Sequence, residues 1–468
     1  MQSLVQLPSG RHSSAATLAS RAFVDYYRCP ESFARFTVKG DGAEKTSSFH
    51  FGEDALCYGP RWIGSGGETT ASGPYDALGD VTIDRGSLCL PFDPTAIVEN
   101  LRRERYLGGS QNGRTKRLLQ QSVSAGYRFV RPALPVPLRK HLQRLYLRGW
   151  EDLAFPTWPV DRTVDSILEQ LLILTLKATA IDRIPFIWFW PHGAPSCAVM
   201  THDVETVAGR DFCSRLMDLD DSFGIKSSFQ LVPERRYAVA PGFLDSIRAR
   251  GFEINVHDLN HDGRLFSNRE CFAQRAERIN HWGREFGALG FRSGSLYRNP
   301  DWFELLDFAY DMSMPNVGHL EAQRGGCCTV MPFFIGDILE LPLTATQDYS
   351  LFHILTDYSI DLWKRQIALI TAKHGLVSFI VHPDYVTSRR ARATYEELLA
   401  HLAQLRGDRS LWTTLPREVN RWWRERSQMK IVGNGKGWHI EGEGAARARL
   451  AFATLIDDKL AFTIETQK

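Results

Sequence analysis

At 468 residues the chain exceeds the size at which one hydrophobic core usually stops growing, which excludes a single small module and predicts two or three domains. A hydrophobic content of 43% and a charged content of 24% are typical of an ordinary globular protein. The net charge of +2 indicates no polyanionic partner.

Targeting and redox signals are absent from the sequence. The first 30 residues lack the basic and apolar segments of a signal peptide, so we predict a cytoplasmic protein. The eight cysteines show no CxxC pair, and a disulfide framework is not expected in a chain of this length. The adjacent Cys327 and Cys328 are interpreted as a tight buried segment.

Residues 1–130 are rich in Gly, Ser and Thr, which predicts a β-rich or irregular N-terminal region without a recognisable chemical motif. A basic window overlaps the end of this region. Residues 101–150 hold 12 Lys or Arg and one acid, so the window carries a net charge of +11 and the rest of the chain −9. Such a window could attract an anionic membrane or a phosphorylated glycan carrier, although a solvated basic face is the simpler interpretation. Because no aromatic-interleaved module accompanies it, we expect no nucleic-acid partner.

Residues 131–195 show leucines and isoleucines at intervals of three and four, which predicts helices that brace the following domain. The aromatic run IPFIWFWPHG at 184–193 allows two interpretations. It could be a platform on which a sugar stacks, but core packing is the commoner role of such a run.

Between residues 196 and 425, apolar strand-like runs alternate with amphipathic helical segments. After the strand that begins at Cys197, strands are predicted at 227–232, 252–256, 289–292, 338–343 and 376–382. Helices are predicted near 209–222, 241–250, 268–287, 300–308, 357–374 and 391–406. This succession predicts an α/β fold, a TIM-like and incomplete (β/α) barrel, with a small β appendage at 426–468.

Polar side chains follow two of the predicted strands. The run CAVMTHDVE ends in Asp203 and Glu205, which alone could equally be solvated loop acids. The strand ending at Val256 is followed by His257 and His261, which would share one face if a helix began there. A lone HxxxH pair is weak evidence, but two histidines and a carboxylate are the ligand set of an open catalytic metal site.

Two further strand ends carry Arg292, in GFRSG, and His382, in IVHPDY. Arg292 could orient a carboxylate and His382 could protonate a leaving group. Each alone is more often a structural ion pair or a loop histidine. Four consecutive motifs at strand ends, D-x-E, HxxxH, Arg and His, are hard to assign to chance.

This ordered set resembles the polysaccharide deacetylase family, the NodB-homology domain of carbohydrate esterase family 4, between Cys197 and Asp384. The family's first motif is Thr-Phe-Asp-Asp-Gly, and THDVE aligns Asp203 with its general base. The resemblance also implies metal binding by two histidines, a base steadied by an arginine and a histidine as general acid, which correspond here to His257, His261, Arg292 and His382.

The sequence departs from the family at Val204, where the metal-binding Asp is expected. Side-chain alternation would make Asp203 and Glu205 face the same way, and the resemblance then implies Glu205 as the replacement ligand. The other possibility is that Asp203 binds the metal and leaves His202 or Glu205 to other work.

The family's hydrophobic pocket motif is similar to LELPLTATQDY at 339–349. The residues predicted to bind substrate are Leu341, Tyr349 and Tyr297, and either a backbone amide near Tyr297 or the metal itself would stabilise the oxyanion. The predicted reaction is hydrolysis of the N-acetyl group of an amino sugar in a polysaccharide, oligosaccharide or glycan precursor, assisted by zinc or a similar divalent ion. Two alternatives stay open: an inactive carbohydrate-binding barrel, suggested by Val204, and a hydrolase of a non-sugar amide.

Overall fold

In a computed structural model, the described residues of the N-terminal part form two small sheets and two helices. The model describes residues 16–38, 44–62, 75–84, 86–108, 145–433 and 437–465. Most of the basic window at 101–150 therefore lies outside the described residues. Within those ranges, no helix is long and apolar enough to cross a membrane.

The N-terminal strands are β1 (Ala16–Ala19), β2 (Arg35–Val38), β3 (Glu44–His50), β4 (Leu56–Trp62), β5 (Thr82–Asp84) and β6 (Ser87–Leu90). One sheet has the order β1-β2-β6-β5, and β3 pairs with β4 in the other. Helix α1 spans Arg21–Tyr27, and helix α2 spans Pro94–Arg102. Helix α2 begins after Asp93, whose side chain accepts a hydrogen bond from the backbone N–H of Thr95.

Helix α3 (Thr163–Thr179) and strand β7 (Ile184–Ile187) lead into the main sheet. The aromatic run at 184–193 is part of the core, since Trp188, Phe189 and Trp190 are 3%, 1% and 0% exposed. The interpretation as core is therefore confirmed, and a sugar platform is excluded by this burial.

Nine strands of the described ranges form the main sheet. They are β8 (Cys197–Val204), β9 (Ser227–Leu231), β10 (Glu253–His257), β11 (Gly290–Arg292), β12 (Tyr310–Asp311), β13 (Phe333–Ile335), β14 (Ile338–Glu340), β15 (Leu376–Ile380) and β16 (Trp412–Thr414). The order is β13-β14-β12-β11-β10-β9-β8-β15, with β16 beside β8, and all neighbours are parallel except β13 and β14. The backbone N–H of Ala345 donates to Ser378 O at 3.1 Å, which links the segment after β14 to β15. The predicted α/β fold with an incomplete barrel is confirmed.

The helices that follow the strands are α4 (Val207–Ser222), α5 (Pro241–Ala249), α6 (Arg269–Glu285), α7 (Asp361–Thr371), α8 (Arg389–Gly407) and α9 (Pro416–Gln428). All six are amphipathic, as their buried faces require. The predicted helix at 300–308 is instead a short 3-10 helix, Pro300–Leu305, where Asn299 accepts the backbone N–H of Asp301.

Side chains alternate along β8, and this alternation positions the site. Ala198, Met200 and Val204 pack into a core cluster with the outer helices. Cys197 and Val199 pack into a second cluster, shared with the N-terminal region, α3 and α9. Residues 201 and 203 continue this second series, so they face the inside of the barrel at its carboxyl end.

The C-terminal strands are β17 (Lys430–Gly433), β18 (Trp438–Glu441), β19 (Leu450–Ile456) and β20 (Lys459–Ile464). Strand β19 pairs antiparallel with both β20 and β7, so residues 184–187 and 450–453 lie in one sheet. All eight cysteines lie among the described residues as free thiols, and both Cys327 and Cys328 are fully buried as expected.

Candidate metal centre

The ends of β8 and β10 bring together Glu205, His257 and His261, whose potential ligand atoms all lie within 4.8 Å of one another. Glu205 Oε1 lies 2.8 Å from Nε2 of His261 and 3.6 Å from Nε2 of His257. Both histidines are buried, with 1% and 3% exposure. Glu205 is half-buried and so keeps the group accessible from one side.

The two histidines meet through a loop. Strand β10 ends at His257, and no helix begins there, so the prediction that helical spacing aligns the pair is wrong. Instead the backbone turns sharply, since Asp258 and His261 adopt left-handed conformations with φ of 55° and 53°. The two imidazole centroids are consequently 4.9 Å apart.

Val204 continues β8 and is fully buried in the outer core cluster. The alternation along the strand accordingly turns Asp203 and Glu205 to the side on which His257 lies. Nε2 of His257 is 3.7 Å from Asp203 Oδ2 and 3.6 Å from Glu205 Oε1. The side chain that departs from the deacetylase motif therefore has a packing role, and two acids remain beside the histidines.

The donor set fits a divalent cation such as zinc. Nε2 of His257 and Nε2 of His261 are buried and make no hydrogen bond of normal geometry, although Glu205 lies close to both. Nδ1 of His257 lies 3.1 Å from the carbonyl oxygen of Arg292, which can only accept, so this contact places a proton on Nδ1 and leaves the Nε2 lone pair free. Two imidazole nitrogens and a carboxylate are typical ligands of an open zinc site.

Asp203 is held by Arg292 from β11. Nη1 of Arg292 donates to Asp203 Oδ1 at 2.7 Å and to Thr201 Oγ1 at 2.7 Å, and its Nε donates to Met312 O at 3.0 Å. Burial alone would raise the pKa of Asp203, but Arg292, followed by His257 and His382, holds that pKa below its usual range. Asp203 is therefore an anion whose Oδ2 remains available.

His382, after β15, is held by Asp348. Nδ1 of His382 lies 2.7 Å from Asp348 Oδ1, and the backbone N–H of His382 donates to Oδ2 at 2.8 Å. Burial would lower the pKa of His382, but Asp348 and then Glu205 raise it well above its usual value. Nε2 of His382 lies 3.5 Å from Glu205 Oε1. The structure thus brings all six residues predicted to bind metal or to act in catalysis to one end of the barrel.

The charges of the group favour a bound cation. Burial would raise the pKa of Glu205, but His261, together with His257 and His382, holds that pKa well below its usual range. Burial would lower the pKa of His257, but Asp203 and Glu205 raise it, and the net shift is upward. The carboxylates therefore stabilise positive charge among the imidazoles, as they would stabilise a metal ion.

The residues predicted to bind substrate lie in different settings. Tyr297 and Tyr349 are half-buried, and the ring of Tyr349 lies 5.7 Å from that of Tyr385, which in turn lies 4.7 Å from the imidazole of His382. The backbone N–H of Tyr297 donates to Gly294 O at 3.3 Å. Leu341 has no exposed surface and lies in the core cluster shared with the N-terminal region.

Sequence reasoning missed Asp348, although it lies inside the segment LELPLTATQDY. Asp348 could have been found because it is an acid within an apolar segment that is expected to line a pocket. A buried carboxylate needs a partner, and this requirement points to a nearby cationic or hydrogen-bonding side chain. Sequence reasoning also missed Tyr385, three residues after His382.

No family model and no curated protein matches this chain. Solved structures of deacetylases and of an allantoinase resemble it. One is described as a polysaccharide deacetylase from Mycobacterium smegmatis, with 18% identity over 53% of this chain and 96% of that chain, at a TM-score of 0.42. Another is PuuE allantoinase, with 13% identity over 50% of this chain and 92% of that chain, at a TM-score of 0.39. A third is a family 4 acetyl xylan esterase from Clostridium thermocellum in complex with a cobalt ion. It shows 13% identity over 48% of this chain and 91% of that chain, at a TM-score of 0.32.

Proposed function

We propose that this chain is a divalent-metal-dependent deacetylase that hydrolyses the N-acetyl group of an amino sugar in a glycan. One observation carries the proposal: Glu205 Oε1 lies within 3.6 Å of the Nε2 atoms of His257, His261 and His382. These three imidazoles converge on Glu205 beside the ion pair of Asp203 with Arg292. A point surrounded by imidazole nitrogens and carboxylates suits a cation, and the adjoining base and acid suit amide hydrolysis.

In this proposal Glu205, His257 and His261 hold the metal, which we expect to be zinc. When bound, such an ion polarises the acetyl carbonyl and makes water acidic enough to attack at neutral pH. Val204 does not contradict this assignment, because Glu205 supplies a carboxylate from the next residue with the required direction.

Asp203 is the proposed general base. Its Oδ1 is occupied by Arg292, so Oδ2, which lies 3.7 Å from Nε2 of His257, takes the proton of the attacking water. Arg292 has no exposed surface and is fixed at Met312 O, so it keeps the carboxylate ionised and oriented.

His382 is the proposed general acid. Asp348 fixes its Nδ1, and the upward shift of its pKa keeps it protonated near neutral pH. Nε2 then donates a proton to the departing nitrogen as the C–N bond breaks, and the products are acetate and the free amine.

An amino sugar is the proposed substrate because half-buried aromatic rings lie beside His382. The rings of Tyr349 and Tyr385 offer apolar surface next to the acid, and sugars stack on such rings through their C–H faces. We retain Tyr297 as a proposed substrate-binding residue through its half-buried side chain, since its backbone N–H donates to Gly294 O. Leu341 has no exposed surface and is part of the core, so we do not propose it as a substrate-binding residue. The attraction of an anionic carrier by residues 101–150 stays a prediction.

The direct test combines metal analysis with acetate release. The purified chain, loaded with zinc or cobalt, is incubated with N-acetylhexosamine oligosaccharides of several linkages, and acetate is quantified beside the His257→Ala, His261→Ala double variant. We expect about one metal ion per wild-type chain and acetate release only by the wild type. Absence of both across a broad panel would overturn the proposal.

The same experiment separates the alternatives. Glycan binding without turnover, retained in an Asp203→Asn variant, would identify a carbohydrate-binding barrel. Turnover of a non-sugar amide, with release of ammonia or another acid in place of acetate, would identify a different amidohydrolase.

A further inference from the structure

A buried ion pair joins the N-terminal region to the loop that follows β11. Glu104, just after α2, and Arg298 are 7% and 4% exposed. Nε of Arg298 donates to Glu104 Oε2 at 2.9 Å, and Nη2 donates to Glu104 Oε1, so the contact is bidentate. Such forked pairs fix both distance and orientation.

The same arginine also holds two loop segments together. Nη1 of Arg298 donates to Leu296 O at 2.9 Å and to Gln323 O at 3.3 Å. The side-chain amide of Gln323 also holds the backbone of Arg298, because the N–H of Arg298 donates to Gln323 Oε1 at 3.1 Å and Gln323 Nε2 donates to Arg298 O at 3.2 Å. One guanidinium therefore links the N-terminal region, the loop after β11 and the loop around residue 323.

The segment 103–107 fits closely between these loops. Tyr106 Oη donates to Gly326 O at 2.8 Å, and Arg103 Nη1 lies 3.0 Å from Asp301 Oδ1. At Gly325 a Cβ atom would overlap Glu104 Oε1, and the φ of 120° there suits only glycine. Glu104 itself adopts a left-handed conformation with φ of 57°. A non-glycine residue in this conformation is unusual and costs free energy, so the contact is specifically shaped.

The braced loop borders the candidate metal centre. At Gly294 a Cβ atom would overlap Asp258 Oδ2 and would lie 2.9 Å from Cδ2 of His261, so the loop backbone packs directly against a proposed ligand. Tyr297 lies between this contact and Arg298 and is half-buried. Residues 294–301, called the wall below, therefore run from the contact with a proposed metal ligand to the Glu104–Arg298 pair.

A buried ion pair is poor evidence of a purely stabilising role. Desolvation of both charges offsets most of their attraction, and a well-packed apolar pair of similar volume is often as stable. What a bidentate pair supplies is a defined position for the loop that carries Arg298.

We propose that Glu104 is a positioning residue of the enzyme, through which the N-terminal region holds the wall at 294–301 in the conformation that accepts the acetylated glycan. The inference rests on the proposed function and gives the N-terminal region a role in substrate binding. Since Glu104 touches neither the metal ligands nor Asp203 and His382, the wall affects substrate affinity more than the chemical step.

The test uses the full chain and variants that keep size while altering the pair. Glu104→Gln removes the charge, Arg298→Lys keeps the charge but loses the fork, and Glu425→Gln is the control. Glu425 pairs with Arg447 and is partly buried, in α9, so it matches the change at Glu104 away from the site. For each protein we measure KM and kcat for an N-acetylhexosamine oligosaccharide, bound metal per chain, and hydrogen exchange of residues 294–301.

In Glu104→Gln and Arg298→Lys we expect KM to rise about fivefold or more, with kcat per bound metal within about twofold of wild type and faster exchange at 294–301. The control should match wild type in all four measurements. An unchanged KM in Glu104→Gln overturns the inference, as does a loss of activity that only follows the fraction of unfolded protein. If the wild type releases no acetate, the proposed function fails and the role in substrate binding fails with it. In that case, unchanged hydrogen exchange at 294–301 in the two variants would show in addition that the Glu104–Arg298 pair does not hold this segment in place.

Discussion

Both oxygens of Asp348 contact His382: Oδ1 lies 2.7 Å from Nδ1, and Oδ2 accepts the backbone N–H at 2.8 Å. Asp348 has no exposed surface, so little water competes for this carboxylate. Burial alone would lower the pKa of His382, but Asp348, and then Glu205, raise it well above the usual value. The relationship therefore favours the protonated imidazole of His382, which is the form that the proposed general acid requires.

Asp348→Asn should move the basic limb of the kcat/KM profile to lower pH. In the proposed mechanism activity requires protonated His382 and is lost as pH rises through its pKa. Because Asp348 is the largest contribution that raises that pKa, its removal lowers the pKa and moves the basic limb to lower pH. The profile is measured on metal-loaded enzyme beside Asp211→Asn, an exposed aspartate that pairs with Arg210. A basic limb at the wild-type position in Asp348→Asn would contradict the role of His382 as acid.

Separate substitutions of Glu205 and Asp203 should show which of the two acids binds the metal and which acts as the base. Glu205→Gln should lose bound metal on dialysis, with a weakening greater than the roughly 10–100-fold that loss of an outer partner costs. Asp203→Asn should keep the metal, since Asp203 is held by Arg292, while kcat falls about 10²–10⁴-fold. Elemental analysis and steady-state kinetics of the two variants decide the matter. The reverse outcome would make Asp203 the ligand.

Six strands of the main sheet were predicted, because each contains a short apolar run, whereas the two- and three-residue strands β12, β13 and β16 were not. The strand predicted at 227–232 is Ser227–Leu231, and that predicted at 376–382 is Leu376–Ile380. Polar residues at their carboxyl ends were therefore predicted to converge, and Arg292 and His382 do lie at the same end of the sheet.

Residues that depend on tertiary contacts were not predictable. Asp348 lies 34 positions before His382, and the two meet only because the segment around Ala345 hydrogen bonds to β15. His261 reaches His257 through a left-handed turn at Asp258, a conformation that the sequence DLN does not specify. The partnership of Glu104 with Arg298 spans 194 positions and has no local signature.

Metal affinity should weaken as pH falls. Burial lowers the pKa of His257, but Asp203 and Glu205 raise it, and the net shift is upward. A proton therefore competes with the metal for Nε2 below this raised pKa, and apparent affinity should fall about tenfold per pH unit for each proton displaced. Competition with a chelator between about pH 6 and about pH 8.5 measures the slope, and calorimetry in buffers of different ionisation enthalpy counts the released protons. Affinity independent of pH would exclude His257 as a ligand.

On the outer face of β8, a fully buried network surrounds Asp220. Ser227 Oγ donates to Asp220 Oδ2 at 2.6 Å, and Tyr395 Oη donates to Oδ1 at 2.5 Å. His202 Nε2 lies 3.0 Å from Oδ2, and its Nδ1 lies 2.9 Å from Val381 O. A carbonyl oxygen only accepts, so Nδ1 of His202 carries a proton, and Asp220 accepts from both hydroxyl groups. The network adjoins the site, because His202 directly precedes Asp203 and Val381 directly precedes His382.

Asp220→Ala should destabilise the protein by about 3–5 kcal/mol, because it leaves the imidazole of His202 and two hydroxyl groups buried without their acceptor. Urea unfolding of the metal-loaded protein measures the change in the free energy of unfolding. Asp218→Ala is the matched control on the same helix, since Asp218 is half exposed in its pair with Arg250 and its loss should cost no more than about 1 kcal/mol. If Asp220→Ala lost no more stability than Asp218→Ala, the network would have no part in holding β8, and the positions of Asp203 and Glu205 would have to be secured by Arg292 and the barrel core alone.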